Sequence, residues 1–181
     1  MKIAILDRAT LGNDVDVSIF EQFGELIVYD MTSEEQTQDR VKDIDIVLTN
    51  KVVINSSHMD DSSMKLICIT ATGMNNVDLQ YAKQKNIAVK NVAGYSSSSV
   101  AQVAFSMIFH FVTKLDYYKS YVDNGNWQKS PIFTHIDKPF YELDNKRVGV
   151  IGLGDIGRNF AKKAKAFDCE VVYYSTSGKN S

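Results

Sequence analysis

The segment spanning residues 146–178, KRVGVIGLGDIGRNFAKKAKAFDCEVVYYSTSG, constrains this chain more than any other. An apolar run at 148–151 leads directly into glycines at positions 152, 154 and 157, a stretch of helical character covers 156–167, and a second apolar run follows at 170–174. Strand, glycine turn, helix and strand in that order form a β-α-β unit, whose parallel strands require a right-handed crossover. In that setting the three glycines have separate mechanical uses. Gly152 permits the tight turn, Gly154 lets a pyrophosphate approach the backbone, and Gly157 lets helix and strand pack closely, so that free N–H groups face the phosphates. A glycine-rich turn that binds nothing carries the same letters; the flanking strands and helix favour the dinucleotide reading.

The residues ahead of it repeat the same alternation. Short runs rich in Ile and Val, at 2–6, 26–29, 44–49, 65–70 and 87–92, are separated by polar stretches with helical spacing, clearest at 33–41 and 77–85. Nearly continuous apolarity marks strands covered on both faces, and the order predicts an open, doubly wound parallel sheet. Ser33 followed by Glu34 and Glu35 is a helix start. From Ser97 the pattern changes to one long helix ending near Gly125, and Val100, Val103, Ala104, Met107, Ile108, Phe111 and Leu115 at spacings of three and four predict its buried face. A polar, aromatic-containing loop at 126–141 holds both prolines, Pro131 and Pro139. The fold class is therefore α/β: a flavodoxin-like parallel-sheet domain over 1–96, then a linker helix and the first β-α-β of a Rossmann domain over 97–181.

Composition excludes several partners. The 181 residues are 44% hydrophobic and 23% charged, and 20 basic against 22 acidic residues leave a formal charge of -2 with no basic stripe. Nucleic acid and membrane surfaces are not expected partners. The opening MKIAILD reads as a strand rather than a signal peptide, and no run is long enough to span a membrane. Cys68 and Cys169 each sit in an apolar run, as buried free thiols in a reducing cytoplasm would. His58, His110 and His135 are too far apart to form a metal-ligand spacing. His110, mid-helix among apolar residues, reads as a core or interface histidine, His135 as a surface residue, and His58 as having no chemical role.

The residue ending the second Rossmann strand selects between nicotinamide cofactors, because an acid there binds the ribose hydroxyls and repels a 2′-phosphate. That position holds Ser175, followed by Thr176, Ser177, Gly178 and Lys179. Hydroxyls and a cation in place of a carboxylate favour NADP or dual use; a frayed terminus reads the same way.

Taken together, these stretches resemble the D-isomer-specific 2-hydroxyacid dehydrogenases, and within them the glycerate dehydrogenase or hydroxypyruvate reductase branch. The resemblance runs in order through Thr49-Asn50-Lys51, Ala71-Thr72-Gly73 with Val77-Asp78-Leu79, Asn86-Ile87-Ala88-Val89 with Asn91-Val92, residues 95–102, and Gly125-Asn126-Trp127 leading to Glu142-Leu143 and the glycine loop. It implies that the backbone N–H groups of Gly73 and Met74 hold a substrate carboxylate, in a turn expected to need glycine's conformational freedom. Asn50 and Lys51 match positions beside that carboxylate, Lys51 as an assisting cation or as an ordinary solvated lysine. Thr72 and Ser99 match contacts to the nicotinamide side of NAD or NADP, and Asp155 and Ile156 match the pair whose amides meet the pyrophosphate. Gln102 stands where many members of the family carry Glu.

The implied activity is hydride transfer between NAD(P)H and a small 2-oxo or 2-hydroxy acid, such as hydroxypyruvate/glycerate or glyoxylate/glycolate. The family's Arg, Glu and His, which clamp the substrate and pass the proton, match no residue of this chain, so no catalytic residue is assigned. The chain is expected to be the N-terminal part of such an enzyme, inactive alone, with exposed sheet edges and apolar faces that favour a homodimer. Two alternatives stay open: a non-catalytic dinucleotide-binding or regulatory module, and an interaction domain using the same architecture. An anion site at Thr72-Gly73 separates the enzyme reading from a pure sensor.

Overall fold

A computed structural model describes residues 1–175 and 178. The chain divides into two compact units, Met1–Ala93 and Gly94–Ser181. The first is built on strands β1 (Lys2–Ile5), β2 (Glu25–Val28), β3 (Ile46–Thr49), β4 (Leu66–Ile69) and β5 (Ala88–Asn91), with helices α1 (Glu34–Val41), α2 (Ser56–Asp60) and α3 (Leu79–Gln84) between them. The strands form one parallel sheet in the order β2-β1-β3-β4-β5, the flavodoxin-like order expected from the alternating pattern.

Period-two alternation divides each strand between two faces. Ala4, Leu6, Val47, Ile67 and Ile69 turn to the face shared with Val41, Met59 and Ala82 of the three helices, and all are buried. Ile3, Ile5 and Leu48 turn to the other, where Val17 and Phe20 pack beside a short 3₁₀ turn, Ser18–Phe23. Each large aliphatic side chain buried this way contributes about 1.5–3 kcal/mol, so the register of the sheet is set by its apolar pattern. The helix starts are equally local. At α1 the Ser33 N–H donates to Gln36 Oε1 at 3.1 Å, and at α3 the Tyr81 N–H donates to Asp78 Oδ1 at 2.9 Å. Val77, expected to open α3, instead forms a parallel bridge with Ile54 ahead of that cap.

The second unit holds α4 (Ser97–Thr113), α5 (Leu115–Asp123), α6 (Asn126–Lys129), β6 (Arg147–Ile151), α7 (Asp155–Ala166) and β7 (Glu170–Tyr174). Strands β6 and β7 pair in parallel across the helix, from Arg147 opposite Glu170 to Ile151 opposite Tyr174. This is the β-α-β unit expected around the glycines.

Two expectations for the long helix fail. It breaks at Lys114, which adopts a left-handed conformation at φ 55°, so α4 and α5 are separate. The Thr113 hydroxyl donates back to the Phe109 carbonyl at 2.6 Å, a bond that bends helix ends. The buried face is also different. Ala101 and Phe105 are buried, and Phe105 stacks on Phe160 of α7 at 4.7 Å and leans on Phe167 at 5.4 Å, while Phe109 meets Phe167 edge-on. Val100, Val103, Met107, Phe111 and Leu115 are exposed, Met107 at 60% and Phe111 at 71%. Because α4 is apolar around most of its circumference, spacing alone could not select the face; aromatic stacking against α7 does.

Candidate functional site

In parallel sheets ligands bind beyond the carboxyl ends of the strands, and the polar groups of this chain gather there. Among the described residues, the buried side-chain oxygens with no hydrogen-bond partner are Asn50 Oδ1, Thr70 Oγ1 and Ser175 Oγ. Each belongs to the residue directly after a strand: β3 ends at Thr49, β4 at Ile69 and β7 at Tyr174. A buried polar atom without a partner carries a desolvation cost, so its recurrence at one end of three strands marks that end as built for more than packing.

In the first unit two adjacent turns form the edge. The turn after β3 is closed by Asp7, whose side chain is 3% exposed. Its Oδ2 accepts from the Thr49 hydroxyl at 3.1 Å and from the N–H groups of Asn50, Lys51 and Val52 at 2.9, 2.7 and 3.3 Å, and its Oδ1 accepts from the Asn50 N–H at 3.0 Å. The backbone at Asn50 and Lys51 is thereby committed, while the Lys51 side chain is exposed and lines a 240 Å³ pocket with Thr32, Glu34 and Thr37. The arginines of this unit are engaged elsewhere. Arg8 donates to the carbonyls of Leu11, Gly12 and Val15, and Arg40 lies 4.0 Å over the Tyr29 ring while donating to the Met31 carbonyl.

The turn after β4 has the opposite character. The N–H groups of Thr72, Gly73 and Met74 donate to no acceptor among the described residues. The turn is nevertheless fixed. The Thr72 hydroxyl donates to the Val92 carbonyl at 3.2 Å, Asn91 Nδ2 donates to the Thr72 carbonyl at 2.6 Å, the Val77 N–H donates to the Met74 carbonyl, and Met74 packs on the main core. A held row of unpaired N–H groups is the geometry that receives an anion. The expected reason for Gly73 needs correction: its φ is not in the left-handed region, and a Cβ there would lie 3.2 Å from Asn75 Oδ1. Glycine keeps this turn slim rather than supplying an otherwise strained conformation.

In the second unit the three glycines differ as mechanics requires. Gly152 has φ +87°, a left-handed turn. A Cβ on Gly154 would meet nothing within 4 Å, leaving the backbone approachable, whereas one on Gly157 would fall 2.2 Å from the Gly152 carbonyl oxygen and 3.3 Å from Val150 Cγ1. The N–H groups from Leu153 to Gly157 have no acceptor among the described residues, and they open the 12-residue helix α7. Asp155 and Ile156 are the first two residues of that helix, and the Gly152 N–H donates to the Tyr174 carbonyl at 2.9 Å, which sets Ser175 beside the turn. Ser99 lies exposed in the first turn of α4. Thr176, Ser177 and Lys179, read above for cofactor choice, lie outside the described residues.

Of the histidines, His135 departs from its surface reading and His110 from the core half of its core-or-interface reading. His58 is buried and caps α2, its Nδ1 accepting the Asn55 N–H at 3.2 Å, and burial lowers its pKa. His110 is exposed and 3.2 Å from Asp116, rather than in a core. His135 is enclosed rather than on the surface: it stacks on Tyr121 at 3.6 Å between centroids, and its Nε2 is 2.7 Å from the Tyr117 hydroxyl. Both cysteines are free, with thiol pKa values raised chiefly by burial. Among the described residues no cluster of His, Cys, Asp or Glu could hold a metal ion, and no helix is long and apolar enough to cross a membrane. Sequence reasoning missed Asp7 and Thr70, whose only signal was position after a strand.

Comparison with known proteins places this geometry in a family. Residues 3–178 match the profile of the D-isomer specific 2-hydroxyacid dehydrogenase, catalytic domain. A hydroxypyruvate reductase of Blautia hydrogenotrophica is 36% identical over 179 residues, covering 96% of this chain and 56% of the relative. A glycerate dehydrogenase of Methylorubrum extorquens is 30% identical, covering 96% and 55%. Among solved structures, an acyclic imino acid reductase in complex with NADPH and D-Arg superposes with a TM-score of 0.81 at 26% identity, covering 100% of this chain and 58% of that one. The chain spans about half the length of the relatives it matches.

Proposed function

The chain belongs to the D-isomer-specific 2-hydroxyacid dehydrogenases, and from that premise we propose that its two units supply the substrate-carboxylate site and the dinucleotide-pyrophosphate site of an NAD(P)H-dependent reductase of small 2-oxo acids. Hydroxypyruvate and glyoxylate are the proposed substrates, with glycerate and glycolate as the reduced products. The observation that carries the reading is the set of N–H groups at Thr72, Gly73 and Met74, held in a fixed turn, that have no acceptor among the described residues. A dinucleotide sensor has no use for a second anion site of this kind.

In this reading the carboxylate of the 2-oxo acid accepts from the Gly73 and Met74 amides, with Lys51 as a nearby cation and Asn50 Oδ1 as a polar neighbour. The pyrophosphate accepts from the amides at Gly154, Asp155 and Ile156, where the absence of a Cβ at Gly154 leaves room for it. When bound, the nicotinamide supplies hydride to the carbonyl carbon. Gly152, Gly157 and Ser175 shape and border the dinucleotide site. The 181 residues by themselves are read as binding without turning over, because no residue of the chain matches the Arg, Glu and His that the family resemblance implies.

Ser175 leaves a hydroxyl, not a carboxylate, at the position that discriminates the 2′-phosphate, which supports NADPH at least as well as NADH. The exposed row Val100, Val103, Met107 and Phe111 on α4 supports a homodimer. Free cysteines suit a reducing, cytoplasmic setting.

The test is oxidation of NADPH and of NADH with hydroxypyruvate or glyoxylate, by this chain and by the longest product of its gene. Turnover in the longer protein, with a Michaelis constant for NADPH no higher than for NADH, is the expected result. A longer protein that binds dinucleotide yet reduces neither acid would overturn the reading in favour of a sensor.

A further inference from the structure

We infer that Asp7 is the positioning residue of the substrate site, holding the Asn50-Lys51-Val52 turn after β3 in place next to the Thr72–Met74 turn after the neighbouring strand β4; the inference rests on the substrate reading above. Three facts combine. Asp7 is almost fully buried, yet no cation is paired with it among the described residues. Its partners are instead three successive backbone N–H groups and the buried Thr49 hydroxyl, with four of the five contacts converging on one oxygen, Oδ2. Thr49 Oγ1 also accepts from the Val52 N–H at 3.0 Å, closing the network.

Successive N–H groups pointing to one place make an anion nest. Strands β3 and β4 are neighbours, with Thr49 opposite Ile69, so the nest at Asp7 and the turn at Thr72–Met74 follow adjacent strands at the edge of one sheet. The first is filled by the chain's own carboxylate, and the second has no acceptor among the described residues. Asp7 therefore has two linked effects. It fixes the backbone from which Lys51 projects, and it occupies the amides that would otherwise compete for the carboxylate of the 2-oxo acid. Asp7 touches no reacting atom in this account and acts through the turn.

The experiment is calorimetric titration of the wild-type chain, Asp7→Ala and Asp7→Asn with hydroxypyruvate, and separately with NADPH, whose site lies in the other unit. Asp7→Ala should raise the hydroxypyruvate Kd by about tenfold or more, the scale on which small misplacements of binding groups act, with the NADPH Kd unchanged. Asp7→Asn keeps one oxygen for the shared donors and should fall between, a partial rescue that decides the matter if Asp7→Ala does not fold. Hydroxypyruvate affinity equal to wild type in both variants, or parallel weakening of both ligands, would overturn the positioning role alone. Failure of the wild-type chain to bind hydroxypyruvate would instead overturn the substrate reading, and the role of Asp7 with it.

Discussion

Replacing Gly154 and Gly157 separately by alanine should split binding from stability. At Gly157 a new Cβ would sit 2.2 Å from the Gly152 carbonyl oxygen, where ordinary contact begins at 3.4 Å. The gap must open by about 1.2 Å between two backbone segments, neither of which is the end of a flexible side chain, so the cost falls in the ~1–3 kcal/mol range of overpacking. At Gly154 the same methyl meets nothing within 4 Å, and φ -77° with ψ -166° is extended backbone open to any residue. Loss of a tolerable helix cap, a few tenths to about 1 kcal/mol, is offset by about 0.4–1 kcal/mol from a less flexible unfolded chain. Gly154→Ala should thus melt close to wild type while losing dinucleotide affinity by about tenfold, or ~1.4 kcal/mol, because the methyl occupies the approach to the amides. Urea unfolding with fluorescence titration of NADPH reads both quantities. Undiminished NADPH binding by Gly154→Ala, or wild-type stability in Gly157→Ala, would refute the reasoning.

Three further predictions follow from packing and charge. Phe105→Ala removes the ring that stacks on Phe160 and leans on Phe167, and should destabilise the second unit by about 3–5 kcal/mol in chemical denaturation. Burial lowers the pKa of His58, so its folded value lies below that of the unfolded chain. The unfolded state therefore takes up the proton first as pH falls through about 6.5. Stability of the first unit should decline from there and level off below the folded pKa, and His58→Gln, which retains a capping-box residue, should flatten that slope in melting scans. Met107→Glu and Phe111→Glu, on the exposed row of α4, should shift light scattering from dimer to monomer while the monomer keeps its helical circular-dichroism signal.

How far the sequence could be read depended on whether a signal was local. Strand alternation fixed the faces of the first sheet because Ala4 and Leu6 must point away from Ile3 and Ile5, whichever residues cover them. The glycine turn was equally legible, since the backbone of Gly152 and the closeness of Gly157 to its own strand are set within a few residues. Long-range contacts were hidden. Nothing near Phe105 in the chain announces Phe160 or Phe167, so the apolar spacing of α4 pointed to Val103 and Met107, which are exposed. His135 looked like a surface residue because the tyrosines that enclose it lie on α5, at positions 117 and 121. Asp7 is separated by 42 residues from Thr49, and a lone acid after a strand gave no hint that three amides converge on it.

In the proposed function the chain carries two anion sites, one for a 2-oxo acid and one for a dinucleotide. Amide shift mapping by nuclear magnetic resonance, with hydroxypyruvate and NADPH added in separate titrations, tests it most directly. Hydroxypyruvate should move the signals of Thr72, Gly73, Met74 and Lys51, and NADPH those from Leu153 to Gly157 together with Ser175. Saturating hydroxypyruvate that leaves Gly73 and Met74 in place, while NADPH shifts the glycine turn, would contradict the account and leave a dinucleotide-binding module in its stead.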